Sequence, residues 1–248
     1  MSYEEQNVFQ YTDTNSTRAG IANLNSKFHN LKIAIIGMGG TGSYILDLVS
    51  KTPVKEIHIY DDDEFQLHNA FRAPGATASE KFDNIDGLKK VDYYYSIYSN
   101  MHKGIKPHNE KILIENIKKL TGFNFVFLCV DSNEARSLIT KNLLSMNIPF
   151  IDVGLGVNTT NEKLLGSIRV TVGTESKNDH LCNRIGSEET GNNEYSKNIQ
   201  IAELNCLNAT LAVIKWKKIV GFYQDLKHEH NILYFINTNK LLNEDHTI

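Results

Sequence analysis

A glycine-rich turn occupies residues 37–43, where the sequence reads Gly-Met-Gly-Gly-Thr-Gly-Ser. The apolar run Leu31–Ile36 before it is typical of a buried strand, and the apolar spacing after it indicates a helix. Such a turn leaves backbone N–H groups free at a helix N-terminus, where a phosphate group can bind. Gly37 permits the tight turn, Gly39 lets a phosphate come close, and Gly42 lets the helix pack against the strand. We therefore predict a nucleotide site here, against the plainer interpretation that these glycines serve packing alone.

An acidic strand end follows the glycine turn. Asp61 comes after the β-branched segment 54–60, and a carboxylate there can accept hydrogen bonds from ribose hydroxyls. Asn69 and Arg72 lie shortly beyond it. Because arginine pairs with phosphate through two hydrogen bonds and carboxylates hold Mg²⁺, this set favours a nucleoside triphosphate over a dinucleotide. The glycine turn and Asp61 alone also fit an NAD-dependent oxidoreductase, which stays open as an alternative.

The elements that must hold these residues alternate between strand and helix. The predicted strands are 31–36, 54–60, 123–130, 150–153, 167–172 and 232–236, with helical patterns between most of them and the longest helix at 201–220. This order predicts an α/β, Rossmann-like fold with a mostly parallel sheet, helices on both faces and antiparallel strands toward the C-terminus. We predict an N-terminal arm at 1–30 and a single domain at 31–248. The polar loop at 173–198 is of a length that is usually functional or mobile.

The overall composition excludes several classes of protein. The 248 residues include 26 Lys+Arg and 29 Asp+Glu, a formal net charge of −3, which gives no reason to expect binding to nucleic acid or a membrane. No apolar run approaches the roughly 18 residues that a membrane helix needs. The polar start has no signal-peptide pattern, and three widely spaced cysteines exclude a disulfide framework. We expect a cytoplasmic protein with reduced thiols.

Four ordered motifs resemble those of the ubiquitin-activating-enzyme-like adenylyltransferases, the ThiF/MoeB/HesA superfamily. The glycine turn matches the family's GxGGxGS turn. The family's D-x-D-x5-N-x2-R pattern is matched by Asp61, Asp63, Asn69 and Arg72. Gly87–Val91 is similar to the family's G-x-x-K-V element, and Asp131 with Arg136 is similar to its later D-x4-R spacing. The similarity covers residues 31–155 well and the helical segment 201–221 more loosely.

This resemblance implies an adenylyltransferase that uses ATP and Mg²⁺. Its substrate would be the C-terminal carboxylate of a ubiquitin-like or sulfur-carrier protein, or of a peptide, activated as an acyl adenylate with release of pyrophosphate. The residues that would line the nucleotide are Gly37, Gly39, Gly40 and Gly42, with Asp61 and Asp63 at the ribose. Those that would act on the phosphates are Asn69, Arg72 and Lys90, with Asp131 binding Mg²⁺.

The resemblance also bears on partners. In many family members an arginine of the N-terminal arm reaches the ATP of the partner subunit, which implies a homodimer. Arg18 is the only arginine before the first predicted strand and is the candidate for this role, with a solvated arm residue as the alternative. A conjugating enzyme would be a further partner. A non-catalytic scaffold subunit of an activating enzyme is a second alternative to the catalytic hypothesis.

The cysteines depart from the family pattern. Many relatives hold a structural zinc with two CxxC pairs, and these isolated cysteines predict that this chain holds none. The nucleophilic cysteine of thioester-forming relatives would fall near Gly191. Cys182, earlier in the same polar loop, is the candidate thiol, whereas Cys129 and Cys206 are expected in the core.

Two other clusters are less informative. His228-Glu229-His230 suggests a metal site, but alternate histidines without a third ligand more often form a solvated strand edge. The cluster Tyr93–Tyr95 fits packing, an adenine contact or a partner-peptide contact equally well.

Overall fold

Eight strands form one mixed sheet in the computed structural model, which describes residues 7–82, 87–185 and 199–247. The strands are β1 (Lys32–Ile36), β2 (Glu56–Tyr60), β3 (Ile105–His108), β4 (Phe125–Leu128), β5 (Phe150–Thr160), β6 (Lys163–Gly173), β7 (Asn231–Phe235) and β8 (Lys240–Glu244). Their order is β3-β2-β1-β4-β5-β6-β7-β8, parallel from β3 to β5 and antiparallel from β5 to β8. The predicted Rossmann-like α/β fold is confirmed, including the antiparallel strands toward the C-terminus.

Helices come next along the chain after four of the eight strands, namely β1, β2, β4 and β6. The helices of the described residues are α1 (Thr14–Arg18), α2 (Gly40–Val49), α3 (Leu67–Ala70), α4 (Lys90–Tyr98), α5 (Asn133–Ser145), α6 (Leu181–Arg184) and α7 (Ala202–Ile219). Short 3₁₀ turns lie at Ala22–Lys27, Ser79–Lys81 and Ile117–Leu120. Within the described part of the chain, no helix has both the length and the apolar character that crossing a membrane requires.

Helices cover both faces of the sheet, and successive side chains of each central strand point alternately to one face and to the other. On one face, Ile33 and Ile35 of β1 pack with residues of α2, α4 and α7. On the other face, Ala34 and Ile36 pack with Ile139 of α5. Helices on both faces therefore leave the carboxyl ends of the parallel strands as the place where polar side chains can gather.

The described part of the N-terminal arm packs against the rest of the chain. Phe28 is almost fully buried, with its ring centroid 5.2 Å from that of Trp216 in α7. Phe9 is also buried and meets the ring of His102 edge to face. These contacts fix where the arm leaves the domain.

The sequence patterns misplaced some elements. β3 was not predicted, because Ile-Lys-Pro-His offers no apolar alternation. β5 runs to Thr160 rather than ending at Val153, and Asn161 and Glu162, with φ of 49° and 59°, form a tight two-residue turn to β6. The predicted polar loop 173–198 contains α6, and its residues 186–198 lie outside the described part of the chain.

Candidate active site

The glycine turn joins β1 to α2. Gly37 has φ +92°, and a Cβ there would stand 2.7 Å from the carbonyl oxygen of Cys129. A Cβ on Gly42 would stand 1.9 Å from the carbonyl oxygen of Gly37. The protein's own packing therefore requires both glycines. No atom lies within 4 Å of a Cβ built on Gly39 among the described residues, so the space above Gly39 is open to a ligand.

Asp61 supports this turn from the end of β2. Its Oδ2 accepts a hydrogen bond from the Met38 N–H at 2.7 Å, and its Oδ1 accepts one from the Asp63 N–H at 2.9 Å. Burial raises the pKa of the Asp61 carboxyl, and the nearby charge of Lys90 opposes that rise. Each oxygen of Asp61 therefore already accepts one hydrogen bond from a backbone N–H group.

Asp63 is the exposed carboxylate of the pair. Its side chain is 59% exposed, and its Oδ2 accepts a hydrogen bond from Lys90 Nζ at 2.6 Å. This hydrogen bond holds the pKa of Asp63 below its ordinary value. Lys90 is nearly buried as the first residue of α4 and lies 3.5 Å from Asp61 Oδ1 as well. The strand end therefore places one cation between two carboxylates.

A shallow depression beside this strand end brings together the other predicted phosphate ligands. It is lined by Asp62, Asp63, Glu64, Gln66, His68, Asn69, Arg72, Lys89 and Lys90. Asn69 closes the first turn of α3, where its Oδ1 accepts a hydrogen bond from the Gln66 N–H at 2.8 Å. Arg72 is partly buried, and among the described residues its Nε has no hydrogen-bond partner. Burial, with a smaller contribution from the charges of Arg72 and Lys90, lowers the pKa of His68.

A cavity of about 430 Å³ opens over the carboxyl ends of β1, β4 and β5. Its lining includes Gly39, Gly40, Thr41, Cys129, Val130, Asp131, Arg136, residues 153–158 of β5, Gln200, Asn205 and Asn208. The Asp131 carboxylate is exposed in this cavity. Asn205 joins the cavity to the shallow depression, because its Oδ1 accepts from Thr41 Oγ1 at 3.1 Å and its Nδ2 donates to the Arg72 carbonyl at 3.4 Å.

Arg136 anchors the segment that carries Asp131. Its Nε donates to Asp152 Oδ1 at 2.8 Å, its Nη1 donates to Asn133 Oδ1 at 2.8 Å, and its Nη2 donates to the Val130 carbonyl. Asp152 is fully buried in β5 and also pairs with Arg169 of β6. The Asp-x4-Arg spacing therefore unites a cavity carboxylate with the arginine that fixes its loop.

The donor set in the cavity is compatible with Mg²⁺. This ion is commonly bound through one or two carboxylates together with substrate phosphates. Asp131 supplies one exposed carboxylate in the cavity that contains the α2 N-terminus. The cluster Asp61–Asp63 also brings three carboxylates together, but both oxygens of Asp61 already accept hydrogen bonds.

Two predicted residues lie away from this cavity. Arg18 is exposed at the end of α1 and does not line the cavity of its own chain. Cys182 is exposed on α6, as expected, and its Sγ lies 3.4 Å from the Asp179 carbonyl oxygen. Gly191, near which a family nucleophile would fall, lies outside the described residues.

The remaining cysteines are partly buried. Cys206 lies on α7. Cys129 contributes to the cavity wall, and burial raises the pKa of its thiol, so this thiol stays protonated at neutral pH.

The solvated-edge interpretation of His228-Glu229-His230 is wrong. Glu229 and His230 are buried, and Glu229 Oε1 accepts a hydrogen bond from Lys218 Nζ at 2.7 Å. The segment is therefore held against the end of α7 by ion pairs between residues about ten positions apart, which a local sequence pattern does not reveal. Of the tyrosine cluster, Tyr93 and Tyr94 are buried against Phe65, which favours the packing interpretation.

Sequence reasoning missed the polar residues that α7 contributes to the cavity. Asn205 and Asn208 are fully buried, and Asn208 Nδ2 donates to the Gly154 carbonyl at 3.0 Å. The available signal was their spacing of three residues, which puts two amides on one face of the helix. That signal was obscured because α7 is apolar on more than one face.

The fold is Rossmann-like, and the cavity lies at the carboxyl ends of parallel strands, where proteins of this fold class commonly bind their ligands. The ThiF family model matches residues 15–240, and the chain belongs to the ThiF family.

Relatives and solved structures extend this finding. The chain is 23% identical over 176 residues to ubiquitin-like modifier-activating enzyme 5 of Dictyostelium discoideum, covering 64% of this chain and 43% of the relative. It is 25% identical over 155 residues to the Bombyx mori protein of the same name, covering 57% and 38%. It thus spans less than half the length of these curated relatives.

The structure of Escherichia coli MccB with ATP superposes with a TM-score of 0.73 at 17% identity, covering 95% of this chain and 72% of MccB. PaaA superposes with a TM-score of 0.67 at 18% identity, covering 91% and 67%.

Proposed function

We propose that this protein is an ATP-dependent adenylyltransferase that activates a C-terminal carboxylate of a ubiquitin-like protein, sulfur-carrier protein or peptide. One observation carries the proposal: a single cavity contains the open Gly39 at the N-terminus of α2 and the exposed carboxylate of Asp131. Membership of the ThiF family supports it, as do the names of the relatives. Structures of MccB, a protein of the same fold, have been solved with ATP and with MccA.

The reaction requires no base in the protein. An ionised carboxylate oxygen of the substrate attacks the α-phosphorus of ATP, a new P–O bond forms, and the bond to pyrophosphate breaks. Catalysis then rests on positioning and on stabilising the charge of the phosphates. The backbone N–H groups of residues 39–42 bind phosphate oxygens, and Arg72 with Lys90 offsets the charge that develops on pyrophosphate. Asp131 holds Mg²⁺, which supplies Lewis-acid stabilisation of the phosphates when bound.

The two acids after β2 both have roles in this proposal. Asp61 holds the glycine turn through the Met38 N–H, and each of its oxygens accepts one backbone hydrogen bond and keeps a lone pair for a ribose hydroxyl. Asp63 is exposed beside it and can accept a ribose hydroxyl as well. Asn69 positions Arg72 by closing the first turn of α3, from which Arg72 follows.

Pyrophosphate exchange tests the proposal. We expect a candidate protein or peptide ending in glycine, identified by affinity pull-down, to support exchange of labelled pyrophosphate into ATP. Arg72→Ala and Asp131→Ala should each abolish that exchange. Lys119→Ala and Asp179→Ala are the matched controls, because each removes the same charge from an exposed side chain that lines neither the cavity nor the shallow depression. Full exchange by either site variant would overturn the role assignments.

Thermal unfolding separates this proposal from its two alternatives. ATP with Mg²⁺ should raise the midpoint of thermal unfolding, because a ligand that binds only the folded state stabilises it. Stabilisation by NAD and not by ATP with Mg²⁺ would favour the oxidoreductase. ATP binding without exchange across the candidate substrates would favour the scaffold subunit.

A further inference from the structure

Two histidines hydrogen-bond to each other at the β3 edge of the sheet. In the parallel register His58 of β2 lies opposite Lys106, two residues before His108 of β3, so both imidazoles project from the same face. The His58 Nδ1 and the His108 Nε2 are 2.9 Å apart. Neither residue lines the cavity or the shallow depression. The pair therefore lies outside the candidate active site, and the proposed reaction does not use it.

Glu56 determines which nitrogen of His58 carries the proton. The Glu56 Oε2 lies 3.1 Å from the His58 Nε2. Burial alone would raise the pKa of Glu56, but hydrogen bonds from His58 and from two lysine side chains lower it to about 2. The ionised carboxylate therefore accepts a hydrogen bond from the His58 Nε2–H. The neutral ring then carries its lone pair on Nδ1, the atom that faces His108.

Aromatic neighbours hold the two imidazoles in place. Tyr60 stacks on His108 with the ring centroids 4.3 Å apart. Phe123 meets His58 edge to face with the ring centroids 4.7 Å apart. Metal-binding histidines commonly donate their far N–H to a carboxylate in the way that His58 donates to Glu56. The pair thus has the fixed rings and the supporting carboxylate that metal sites use.

The spacing of the two nitrogens matches two neighbouring positions around one metal ion. Imidazole nitrogens bind divalent transition metals at about 2.0–2.1 Å. Two such bonds at about 90° put their nitrogens about 2.9 Å apart, whereas a tetrahedral angle puts them about 3.3–3.4 Å apart. The observed 2.9 Å therefore fits the tetragonal geometry of Cu²⁺ and Ni²⁺ better than the tetrahedral geometry of Zn²⁺.

We propose that His58 and His108 form a binding site for a divalent transition-metal ion of tetragonal geometry, Cu²⁺ or Ni²⁺. The ion binds the His58 Nδ1 and the His108 Nε2 in place of the shared hydrogen. His58 keeps its Nε2–H on Glu56, and the proton of His108 moves through water to Nδ1, so both rings stay neutral. Water molecules complete the coordination, since the His58 side chain is 15% exposed and His108 is partly exposed.

The bound ion adds a link between the edge strand and β2. β3 has four residues, and its Pro107 has no N–H to donate to the sheet. The Asp61 N–H donates to the His108 carbonyl at 3.3 Å, so the same histidine also holds the backbone at the end of β2. Metal binding therefore stabilises β3 together with the strand end that carries Asp61.

Titration calorimetry with Ni²⁺ alone is the first test. Ni²⁺ is the probe because Cu²⁺ readily oxidises exposed thiols such as that of Cys182. The protein, freed of any polyhistidine tag, should bind a single Ni²⁺ per chain in its tightest step. His58→Gln and His108→Gln should each weaken that step by at least about tenfold.

His29→Gln is the matched control, because it removes an exposed imidazole from the N-terminal arm. This variant should bind Ni²⁺ as the unmodified protein does. Equal affinities of all four proteins would overturn the proposal.

A comparison of ions tests the geometry of the site. Ni²⁺ should bind at least about tenfold more tightly than Zn²⁺, because the 2.9 Å spacing fits two bonds at a right angle. Zn²⁺ binding that is as tight as Ni²⁺ binding, or tighter, would overturn the tetragonal site.

Magnetic resonance keeps the test valid if the glutamine variants do not fold. Ni²⁺ with water ligands is paramagnetic, so a substoichiometric amount should broaden the imidazole signals of His58 and His108 in the unmodified protein before those of the other histidines. Broadening that begins at any other histidine would overturn the proposal.

Thermal unfolding measures the consequence for the fold. At a Ni²⁺ concentration about 100-fold above its Kd, the midpoint of the unmodified protein and of His29→Gln should rise by roughly 5–10 °C, because the ion binds only the folded state. His58→Gln should show no such rise. A rise of the same size in His58→Gln would place the stabilising ion elsewhere and overturn the proposal.

Discussion

Gly39 and Gly42 belong to the same turn but are glycine for opposite reasons. At Gly42 the protein's own backbone fills the space that a side chain would need, since a Cβ would lie 1.9 Å from the Gly37 carbonyl oxygen. At Gly39 that space is open among the described residues, and the backbone has φ −76° and ψ −155°, which any residue adopts. The fold therefore has no need of glycine at position 39, which is the result expected if the phosphates of the proposed ligand occupy that space.

Gly39→Ala separates ligand binding from folding. We expect its free energy of unfolding to stay within about 0.5 kcal/mol of the unmodified protein, because nothing contacts the new methyl group. Its affinity for ATP with Mg²⁺ should fall by at least about tenfold, since the methyl group occupies the phosphate position. Urea unfolding and titration calorimetry measure the two quantities.

Gly42→Ala is the control with the opposite pattern, because its methyl group forces β1 and α2 apart and should lower the free energy of unfolding by several kcal/mol. Unchanged ATP affinity in Gly39→Ala would remove the phosphate from this turn.

His102 makes the stability of the fold depend on pH. Its Nε2 lies 3.0 Å from the Val54 carbonyl oxygen, and its Nδ1 accepts from the Gly104 N–H at 3.0 Å. Burial lowers its pKa to about 4, from an ordinary value of 6.5. Below pH 6.5 the unfolded chain takes up a proton that the folded chain refuses. The contribution of His102 is therefore complete above pH 6.5 and is lost as the pH falls toward 4.

We expect the free energy of unfolding to decrease by up to about 3 kcal/mol from this residue over that interval. His102→Gln keeps a donor and an acceptor but does not titrate, so urea unfolding at several pH values should give a flatter profile for this variant. The other buried histidines keep their own slope in both proteins, which makes the difference between the profiles the relevant quantity. Identical profiles would contradict the assignment to His102.

At the scale of elements, Asp152 joins α5, β5 and β6. Its two oxygens accept hydrogen bonds from Arg136 and Arg169, and its side chain is fully buried. Asp152→Asn preserves the shape of the side chain but leaves two largely buried guanidinium groups without a counter-charge. We expect it to lower the free energy of unfolding by about 3–5 kcal/mol, measured by urea denaturation.

Asp179→Asn is the control for this charge, because Asp179 is exposed and its ion pair with Lys177 lies at the surface. Its effect should stay within about 0.5 kcal/mol. Equal effects of the two substitutions would show that the Asp152 pairs add nothing to stability.

The elements that the sequence predicted well are those with contiguous patterns. Apolar spacing predicts the strand and the helix on either side of the glycine turn at 31–51. It also predicts the buried strand before Asp131. The far half of β5 did not, because its glycines and polar residues 158–160 are typical of a loop, and only the pairing with β6 makes them a strand. Tertiary pairing overrides local propensity there.

The candidate site shows the same division. Gly37, Arg72 and Asp131 could be predicted as site residues because family spacing links residue type to chemistry, and their roles stay predictions. The structural role of Asp61, with both oxygens on backbone N–H groups, and the buried amide of Asn208 could not be found, because each depends on groups that are distant in the chain.

For the whole molecule, Arg18 raises the question of a second subunit. It is exposed at the end of α1 and does not line its own chain's cavity. If Arg18 acts on the ATP of a partner subunit, a site in a dimer draws Arg18 from one chain and Arg72 from the other. Two chains that are each defective in one of these residues would then complement each other.

We expect Arg18→Ala and Arg72→Ala to be inactive in pyrophosphate exchange when separate. After refolding as an equal mixture they should recover about a quarter of the unmodified activity, because half of the randomly paired dimers carry one intact site of two. Sedimentation of the mixture verifies that dimers form. No recovery in a dimeric mixture would place the role of Arg18 outside the partner's site.

The shallow depression beside the cavity contains equal numbers of cationic and anionic side chains. Three cations, Arg72, Lys89 and Lys90, stand against the carboxylates of Asp62, Asp63 and Glu64. From more than a Debye length away, about 8 Å at physiological ionic strength, these charges cancel, so the site draws in a polyanion weakly through the solvent. ATP should therefore associate at a rate that changes little with added salt, and inorganic phosphate or sulfate should compete poorly. We expect selectivity for the nucleotide to arise after contact. Lys90 then exchanges its ion pair with Asp63 for one with the triphosphate, and the freed Asp63 carboxylate accepts a hydrogen bond from the ribose.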